Sequence, residues 1–425
     1  MKNVVKLNKA PSYRFVIWIV LTIAYINIYM GMQVIATYAT SIIEDLGVSN
    51  TAISFISNGT TIMLALFSLI GGAIAMKLGG AKRTMVIGTI MMLVAGIGFL
   101  AHPNTITQLV ALRLLQGIGA GLVNTFALGI APWFPAKERG IASGIETGLY
   151  GVGLAGITLI LSYFSTLGLS WSSGIGTFLC IGSALCLILI LLFYTDIEKK
   201  YGVSSVDELL ETPKETTSGS NAADVENLPG SYGEMLHSKG FWILFIPIFA
   251  YCYLVYNLAF SIPAVIMELG WPASTVTAIT SVTFVGTIIA SPLGGIISDR
   301  VFKGRRAETV AIAYFISFLF MVLVVVVKGA SVGTFSLMCM IAYSGVTLAA
   351  APVWVLPASI FAPKFFAKGL GVMLFITNIA GVIGITISGV VQDATGSIMI
   401  SYWITAGVAL LGSIFALIFA KTYKK

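Results

Sequence analysis

Charge is what this chain has least of. Of its 425 residues only 10% are Asp, Glu, Lys or Arg, whereas 57% are apolar, and so few charged side chains cannot clothe a soluble protein of this length. The two histidines, His102 and His237, sit at the edges of apolar segments, which removes histidine from the candidates for a buried proton carrier. The four cysteines, Cys180, Cys186, Cys252 and Cys339, lie inside apolar runs, so neither a disulfide framework nor a metal cluster is indicated. The absence of a Walker sequence argues against an ATP-driven pump, and no His and Cys cluster suits a haem or metal. Soluble-enzyme chemistry finds no support, and neither a cofactor nor a metal is expected.

What remains is hydrocarbon. A spanning helix needs about 20 mostly apolar residues to cross roughly 30 Å of lipid, and such runs recur from end to end. Taken between charged or Gly/Pro punctuation, they fall near 14–38, 51–76, 83–101, 106–132, 139–165, 173–194, 240–266, 273–298, 308–327, 334–360, 367–391 and 398–420. The expectation is an all-α membrane protein of twelve transmembrane helices. Lys2, Lys6, Lys9 and Arg14 precede the first run as in a signal peptide, but the run is long and has no small-residue cleavage site, so it is read as a retained helix.

Cations flanking short loops stay on the cytoplasmic side. With the N-terminus inside, every one of the 24 lysines and arginines falls on that side except Lys328, on the opposite face, and Arg113, inside a span. This places both termini in the cytoplasm of a multi-pass protein of the inner (plasma) membrane. It also accounts for the net charge of +7 without a nucleic-acid partner. The lipid bilayer is the expected partner, and the chain is expected to be a monomer.

One long polar stretch, Thr195 to Ser238, divides the spans six and six. Rich in Glu, Asp, Ser, Thr, Gly and Asn, it cannot bury enough apolar area to fold by itself. The division is therefore an N-terminal six-helix bundle at 1–194, a cytoplasmic linker at 195–239 and a C-terminal six-helix bundle at 240–425. The halves echo each other. "GGAIAMKLGGAKR" (Gly71–Arg83) follows the second span and "GGIISDRVFKGRR" (Gly294–Arg306) the eighth, while "FPAKERGIASGI" (Phe134–Ile145) after the fourth is matched by "FAPKFFAKGLGVML" (Phe361–Leu374) after the tenth. Internal repeats of this kind mark transporters built from two pseudo-symmetric halves.

The second-half loop resembles the Gly-x-x-x-Asp-Arg-x-x-Gly-Arg-Arg loop of the major facilitator superfamily, and "RLLQGIGAG" (Arg113–Gly121) resembles that superfamily's fourth-helix motif. The resemblance covers essentially the whole chain. It implies two six-helix bundles around a central cavity that opens alternately to each side, with Asp299, Arg300, Arg305 and Arg306 forming a gating loop. "YATSIIEDLGVSNTAISF" (Tyr38–Phe55) and "APWFPAKERGIASGIETGLYGVGLAG" (Ala131–Gly156) are similar to the oxalate/formate antiporters and their monocarboxylate-porter relatives. Two departures stand out. Met76 replaces the acidic residue of the first-half loop, and spans eight and eleven lack the cations that oxalate-type members place in late helices, which argues against a dianion site.

Polarity distinguishes the spans independently. Segments six, nine and twelve are nearly featureless and suit lipid, whereas one, four, five, seven and eleven carry Asn27, Gln33, Arg113, Gln116, Asn124, Glu146, Asn257 and Asn378. Polar groups at bilayer depth are costly unless they line a cavity or find partners. Arg113 and Glu146 are the charges deepest inside any span, and at 1.5 Å per residue they are offset axially by roughly 10 Å, which disfavours a direct bridge. Arg113 fits a structural or coupling role or a substrate contact, and Glu146, a lone membrane carboxylate, is a candidate proton carrier. Tyr25, Tyr29 and Gln33 share a face, as do Tyr253 and Asn257; a cavity lining and an interhelical hydrogen-bond seam fit equally. Gly140, Gly144 and Gly148 form a small-residue packing ridge, and Pro352 and Pro357 bend span ten.

The functional expectation is a secondary transporter of a small solute, an organic anion such as a monocarboxylate, working by alternating access with proton coupling or exchange. The alternatives are an exporter of amphipathic drugs, although span five lacks the exporters' Gly-Pro motif, and a non-transporting membrane receptor. The topology is testable directly. A reporter fused at Asn221 should read cytoplasmic and a cysteine at Asn104 should react with a membrane-impermeant reagent from outside; the reverse pattern would overturn the twelve-span arrangement.

Overall fold

The computed structural model of the protein describes residues 7, 9–124, 130, 132–135, 138, 149–203, 205–210, 228–327, 330–362 and 365–423. Backbone N–H and C=O groups have no water to bond in hydrocarbon, so a spanning segment must satisfy them within itself. Among the described residues 11 helices are long and apolar enough to cross a membrane, and Tyr150–Thr166 is a shorter apolar helix where the fifth span is expected. In chain order the crossings are α1 (Tyr13–Thr37), α2 (Asn50–Leu78), α3 (Ala81–Leu100), α4 (Ile106–Val123), α5 (Tyr150–Thr166), α6 (Trp171–Phe193), α7 (Lys239–Glu268), α8 (Ala273–Ile296), α9 (Arg306–Val326), α10 (Val332–Leu348), α11 (Phe366–Thr395) and α12 (Met399–Thr422). Most of span four beyond Asn124 and of span five before Tyr150, with Gly140, Gly144 and Gly148, lies outside the described residues.

The helix ends are written locally. Ser49, Thr105, Ser170, Ser238 and Ser331 each accept a hydrogen bond from a backbone N–H in the first turn of α2, α4, α6, α7 and α10, which satisfies donors the helix itself leaves orphaned. Span ten does break near its prolines: α10 stops at Leu348, a short helix Ala350–Val355 follows, and Leu356–Ser359 forms a 3₁₀ turn. Pro352 cannot donate to the carbonyl of Leu348. That carbonyl instead lies tight against Gly294 of α8, where any Cβ would collide with it.

The packing scheme repeats. In the first half α2 packs on α4, α3 on α4 and α6, and α1 on α5 and α6. Adding six to each number gives the second half, where α8 packs on α10, α9 on α10 and α12, and α7 on α11 and α12. These are two pseudo-symmetric six-helix bundles. They meet where α2 faces α11, α5 faces α8 and α1 faces α7, pairs that the same exchange maps onto one another.

Small residues allow the closest crossings. A Cβ on Gly88 of α3 would stand 2.5 Å from the carbonyl of Gly119 on α4, and Gly119 meets the Gly88 carbonyl in return. The equivalent crossing in the second bundle has Gly345 of α10 against Ala313 and Ser317 of α9. In lipid, where burial of apolar surface does not drive helix association, such backbone approach supplies van der Waals contact instead.

Part of the linker departs from expectation. The stretch just after α6 has too little apolar content for a core of its own, but it borrows one. Ile197, Val203, Val206 and Leu209 are buried in a cluster with Trp133 and Phe134 of the α4–α5 loop, with Leu7 and Tyr13 packed against it. The Val206 N–H donates to the Pro132 carbonyl at 2.7 Å, and the Leu7 N–H to the Leu209 carbonyl at 2.8 Å. The other end of the linker docks on the pseudo-equivalent α10–α11 loop, where the Ala362 N–H donates to the Pro229 carbonyl at 3.1 Å and Tyr232 packs edge-on to Phe365. Residues 211–227 lie outside the described part. The end of the bundle that carries the start of α1, the end of α12 and the described parts of the linker is the linker end, and its opposite the far end.

The α3–α4 crossing yields a test. Gly119→Val places three carbon atoms where none fits and should cost about 1–3 kcal/mol by overpacking, seen as a lowered unfolding temperature in detergent, whereas Gly407→Val, with nothing within 4 Å of its Cβ position, should leave it unchanged.

Candidate functional site

The two bundles enclose a cavity of about 380 Å³. α1, α2, α4 and α5 wall it from one side; α7, α8, α10 with its bent continuation, and α11 wall it from the other. The remaining four helices contribute nothing to it. α3, α6, α9 and α12 turn exposed apolar residues such as Val94, Ile181, Phe315 and Leu411 outward, as expected for segments six, nine and twelve, and α3 joins them.

Rings and hydroxyls dominate the wall. Tyr25 and Tyr29 come from α1, Tyr150 from α5, Tyr251 and Tyr256 from α7, and Trp354 from the bent part of span ten. The other polar groups are Asn124, Thr287, Ser291, Thr347 and Asn378, and no described lining residue is charged. Tyr29 meets Tyr150 edge-on at 4.8 Å between ring centroids, and Tyr251 meets Trp354 edge-on at 5.8 Å, arrangements that bring a ring's positive edge to its neighbour's negative face. Such a wall offers neutral donors and acceptors plus flat apolar faces. It suits a small solute bearing oxygen atoms rather than a metal or a polyanion.

On its far-end side the cavity is shut in layers. Tyr29, Tyr150 and Tyr256 also bound a second void of about 20 Å³, which is room for about one water. In its wall Gln33 of α1 donates from Nε2 to the Ala259 carbonyl of α7 at 2.5 Å, and beside it Asn58 of α2 donates from Nδ2 to the Val382 carbonyl and Thr386 Oγ1 of α11 at 3.1 and 2.8 Å. At the rim Asp393, near the end of α11, accepts from the N–H groups of Asn50 and Thr51 and from Asn50 Nδ2 at 2.8–2.9 Å. A carboxylate of one bundle thus caps the first turn of a helix in the other, where the partial positive charge of the helix start favours it. Cavity-lining residues of α2 and α11, from Leu64 to Leu69 and from Gly371 to Asn378, sit on the linker-end side of these closures.

The residues singled out from sequence separate into groups. Tyr29, Asn124 and Asn378 line the cavity, and Gln33 lines the small void beyond it. Arg113 is fully buried behind α1. It donates from Nη1 to the Gly31 carbonyl at 2.8 Å and Gln116 Oε1 at 2.6 Å, and from Nη2 to the Met32 carbonyl at 3.0 Å, while Gln116 adds a bond from Nε2 to the Gly31 carbonyl at 2.9 Å. Asn257 belongs to a buried network inside the second bundle, donating to Thr405 at 2.7 Å and accepting from Ser388 at 2.6 Å. Glu146 lies outside the described residues. Asp299, Arg300, Arg305 and Arg306 sit in the α8–α9 loop at the linker end, where Asp299 faces Arg306 at 4.0 Å on an exposed surface. In the first-half loop, where Met76 is 80% exposed, a carboxylate arrives from elsewhere. Asp196, just past α6, presses on Gly80, whose Cβ would stand 2.6 Å from its Oδ2.

Tyr150, Tyr251, Tyr256, Thr287 and Ser291 escaped the sequence reading because tyrosines, threonines and serines are unremarkable in apolar helices. A signal existed in span seven: Tyr251 and Val255 share one face and Tyr253 and Asn257 lie on the other side, with Tyr256 between the two.

A profile of the Major Facilitator Superfamily matches residues 21–263 and 244–425. Among curated proteins the chain is 24% identical over 406 residues to the hexuronate transporter of Bacillus subtilis (strain 168), covering 92% of this chain and 91% of that one. It is 27% identical over 301 residues to the oxalate:formate antiporter of Oxalobacter formigenes, covering 69% and 65%. Among solved structures it is similar to the inward-open conformation of the xylose transporter from E. coli, with a TM-score of 0.71 at 17% identity over 96% of both chains.

The rim capped by Asp393 makes a prediction. With the four native cysteines replaced and a cysteine at Ala36 in the wall of the small void, Asp393→Ala should speed thiol labelling several-fold, because the first turn of α2 loses its cap across the interface; an unchanged rate would remove Asp393 from the closure.

Proposed function

The chain belongs to the major facilitator superfamily and is a secondary transporter, not an enzyme, and we propose that it moves a small organic anion, a monocarboxylate carrying few polar groups or several hydroxyls, by alternating access. The observation that carries this reading is the neutral, hydroxyl-rich and aromatic wall of the cavity between the bundles. A single carboxylate can be held by tyrosine hydroxyls and amide groups. A dianion would bring a second charge that the described wall has no cation to meet, and burying it unpaired is costly. The names of the two relatives, a hexuronate transporter and an oxalate:formate antiporter, support carboxylates as the substrate class.

In this reading the linker end is cytoplasmic, as the cations require, and the cavity of the present state belongs to the inside. Arg113 acts as a brace between α4 and α1 rather than a ligand, since its guanidinium donates to carbonyls of α1 and to Gln116. Glu146 is the proton carrier of the proposal. The substrate is a small molecule, the surrounding partner the bilayer of the inner membrane, and the unit a monomer. The competing reading, an exporter of amphipathic drugs, draws on the same aromatic wall, and the uptake assay separates the two.

In proteoliposomes, glucuronate and lactate should enter saturably and at least tenfold faster than oxalate or glucose, and Glu146→Gln should lose accumulation driven by a pH gradient while keeping exchange of substrate for substrate. Uptake of glucose alone, or of a cationic amphiphile alone, would reverse the assignment.

A further inference from the structure

The cavity and the small void beyond it share three residues, Tyr29, Tyr150 and Tyr256. A solute passing from the cavity toward the far end must part them. Tyr29 and Tyr150 come from α1 and α5 of the first bundle, and their rings are in direct edge-on contact. Tyr256 is the member supplied by the second bundle, so separation of the bundles carries it away from the other two.

Tyr256 is held at both ends. Its ring lies on Gly381 of α11, where a Cβ would stand 3.0 Å from the tyrosine Cβ and closer still to the ring. Its hydroxyl donates to Asn378 Oδ1 at 3.0 Å, and the Asn378 amide nitrogen is itself committed to the Leu374 carbonyl of the same helix at 2.7 Å. The hydroxyl is therefore parked on a neutral acceptor, and both groups face the cavity. A carboxylate oxygen is a stronger acceptor than an amide oxygen, since hydrogen bonds to an ionised partner are roughly twice as strong as neutral ones. With no cation among the described lining residues, an incoming anion must draw on such hydroxyls.

We propose that the substrate carboxylate takes the Tyr256 hydrogen bond from Asn378, and that this exchange frees the tyrosine partition and links occupancy of the site to opening of the far end. The inference rests on the reading of the substrate as an organic anion. It makes Tyr256 a positioning residue for the gate as well as a ligand, with Asn378 as the group that holds the gate shut when the site is empty. A ligand changes a conformational equilibrium only through differential affinity for the two states, and the exchanged hydrogen bond is where that difference resides.

The test uses the cysteine at Ala36, in the wall of the small void, in the full-length protein with its native cysteines replaced. Thiol labelling is followed with and without glucuronate or lactate, whichever the proteoliposomes take up. The unmodified Tyr256 background should label several-fold faster with carboxylate present. Tyr256→Phe, which keeps the ring and removes the donor, should abolish that acceleration and raise the KM for uptake about tenfold, the factor that one lost interaction of about 1.4 kcal/mol produces. Asn378→Ala should instead raise labelling in the absence of any carboxylate. If Tyr256→Phe responds to carboxylate as the parent does, with KM within twofold, the inference is overturned while the substrate reading stands. If the parent neither transports nor responds to carboxylates, the substrate reading itself fails and takes the inference with it. Should Tyr256→Phe not fold, Asn378→Ala decides, and basal labelling equal to the parent's sinks the proposal.

Discussion

Hydrocarbon contains no hydrogen-bond partner, and the architecture follows from that one constraint. Each backbone polar group must be satisfied inside its own helix, which sets the element type, and a charged or amide side chain at depth is costly unless it finds a partner or lines a cavity. Arg113 illustrates the stringency. Two carbonyls of α1 and the amide of Gln116 surround its guanidinium, and Gly31 is the residue that makes the approach possible, since a Cβ there would stand 2.6 Å from Gln116 Nε2. A forked donor reaching two neighbouring carbonyls ties α4 to α1 more specifically than a point charge could. In the second bundle an uncharged hydroxyl makes the corresponding tie, Tyr343 of α10 donating to the Val255 carbonyl of α7 at 3.1 Å.

That difference between pseudo-equivalent positions recurs across the molecule. The contact scheme is duplicated, but its fastenings are not. At the far end α2 and α11 are joined by Asp393 and Asn58, whereas the pseudo-equivalent pair, α8 and α5, packs closely at the depth of the cavity, with Gly151 on Phe284 and Thr287. At the linker end one loop carries its own Asp299 while the other has Asp196 brought to it from α6. Two similar bundles can rock about a shared interface because their packing is alike. Asymmetric fastenings make the two ends of the interface inequivalent, so opening one end breaks bonds that opening the other does not. The described ends of the linker dock on the two matching loops, one on each half.

The site depends on division of labour among helices. Lipid-facing α3, α6, α9 and α12 support the other eight, whose inner faces hold rings and hydroxyls without a described charge. Aromatic side chains provide rigid surface at small entropic cost and carry a polar handle, so a wall of tyrosines can be apolar to a solute's carbon face and hydrogen-bonding to its oxygens.

Much of this was legible in the residues alone. Run length and the distribution of cations specify the number of crossings, because crossing a bilayer imposes a minimum length and insertion sorts positive charge, and the duplicated loops specify two halves. Tyr29, Gln33, Asn124 and Asn378 were visible as polar groups too deep to be idle. What polarity could not decide is direction. Tyr256 and Asn257 are adjacent in α7, about 100° apart around the helix, and only the docking of α11 and α12 turns the amide into a buried network and the tyrosine into the cavity. Nor could composition show that the start of the linker would fold, since its core is supplied by Trp133 and Leu7 from distant parts of the chain. Arg113 makes the same point: apart from Gln116 its partners are backbone carbonyls, which every helix carries, and which of them a guanidinium reaches is settled by the crossing of two helices that Gly31 permits.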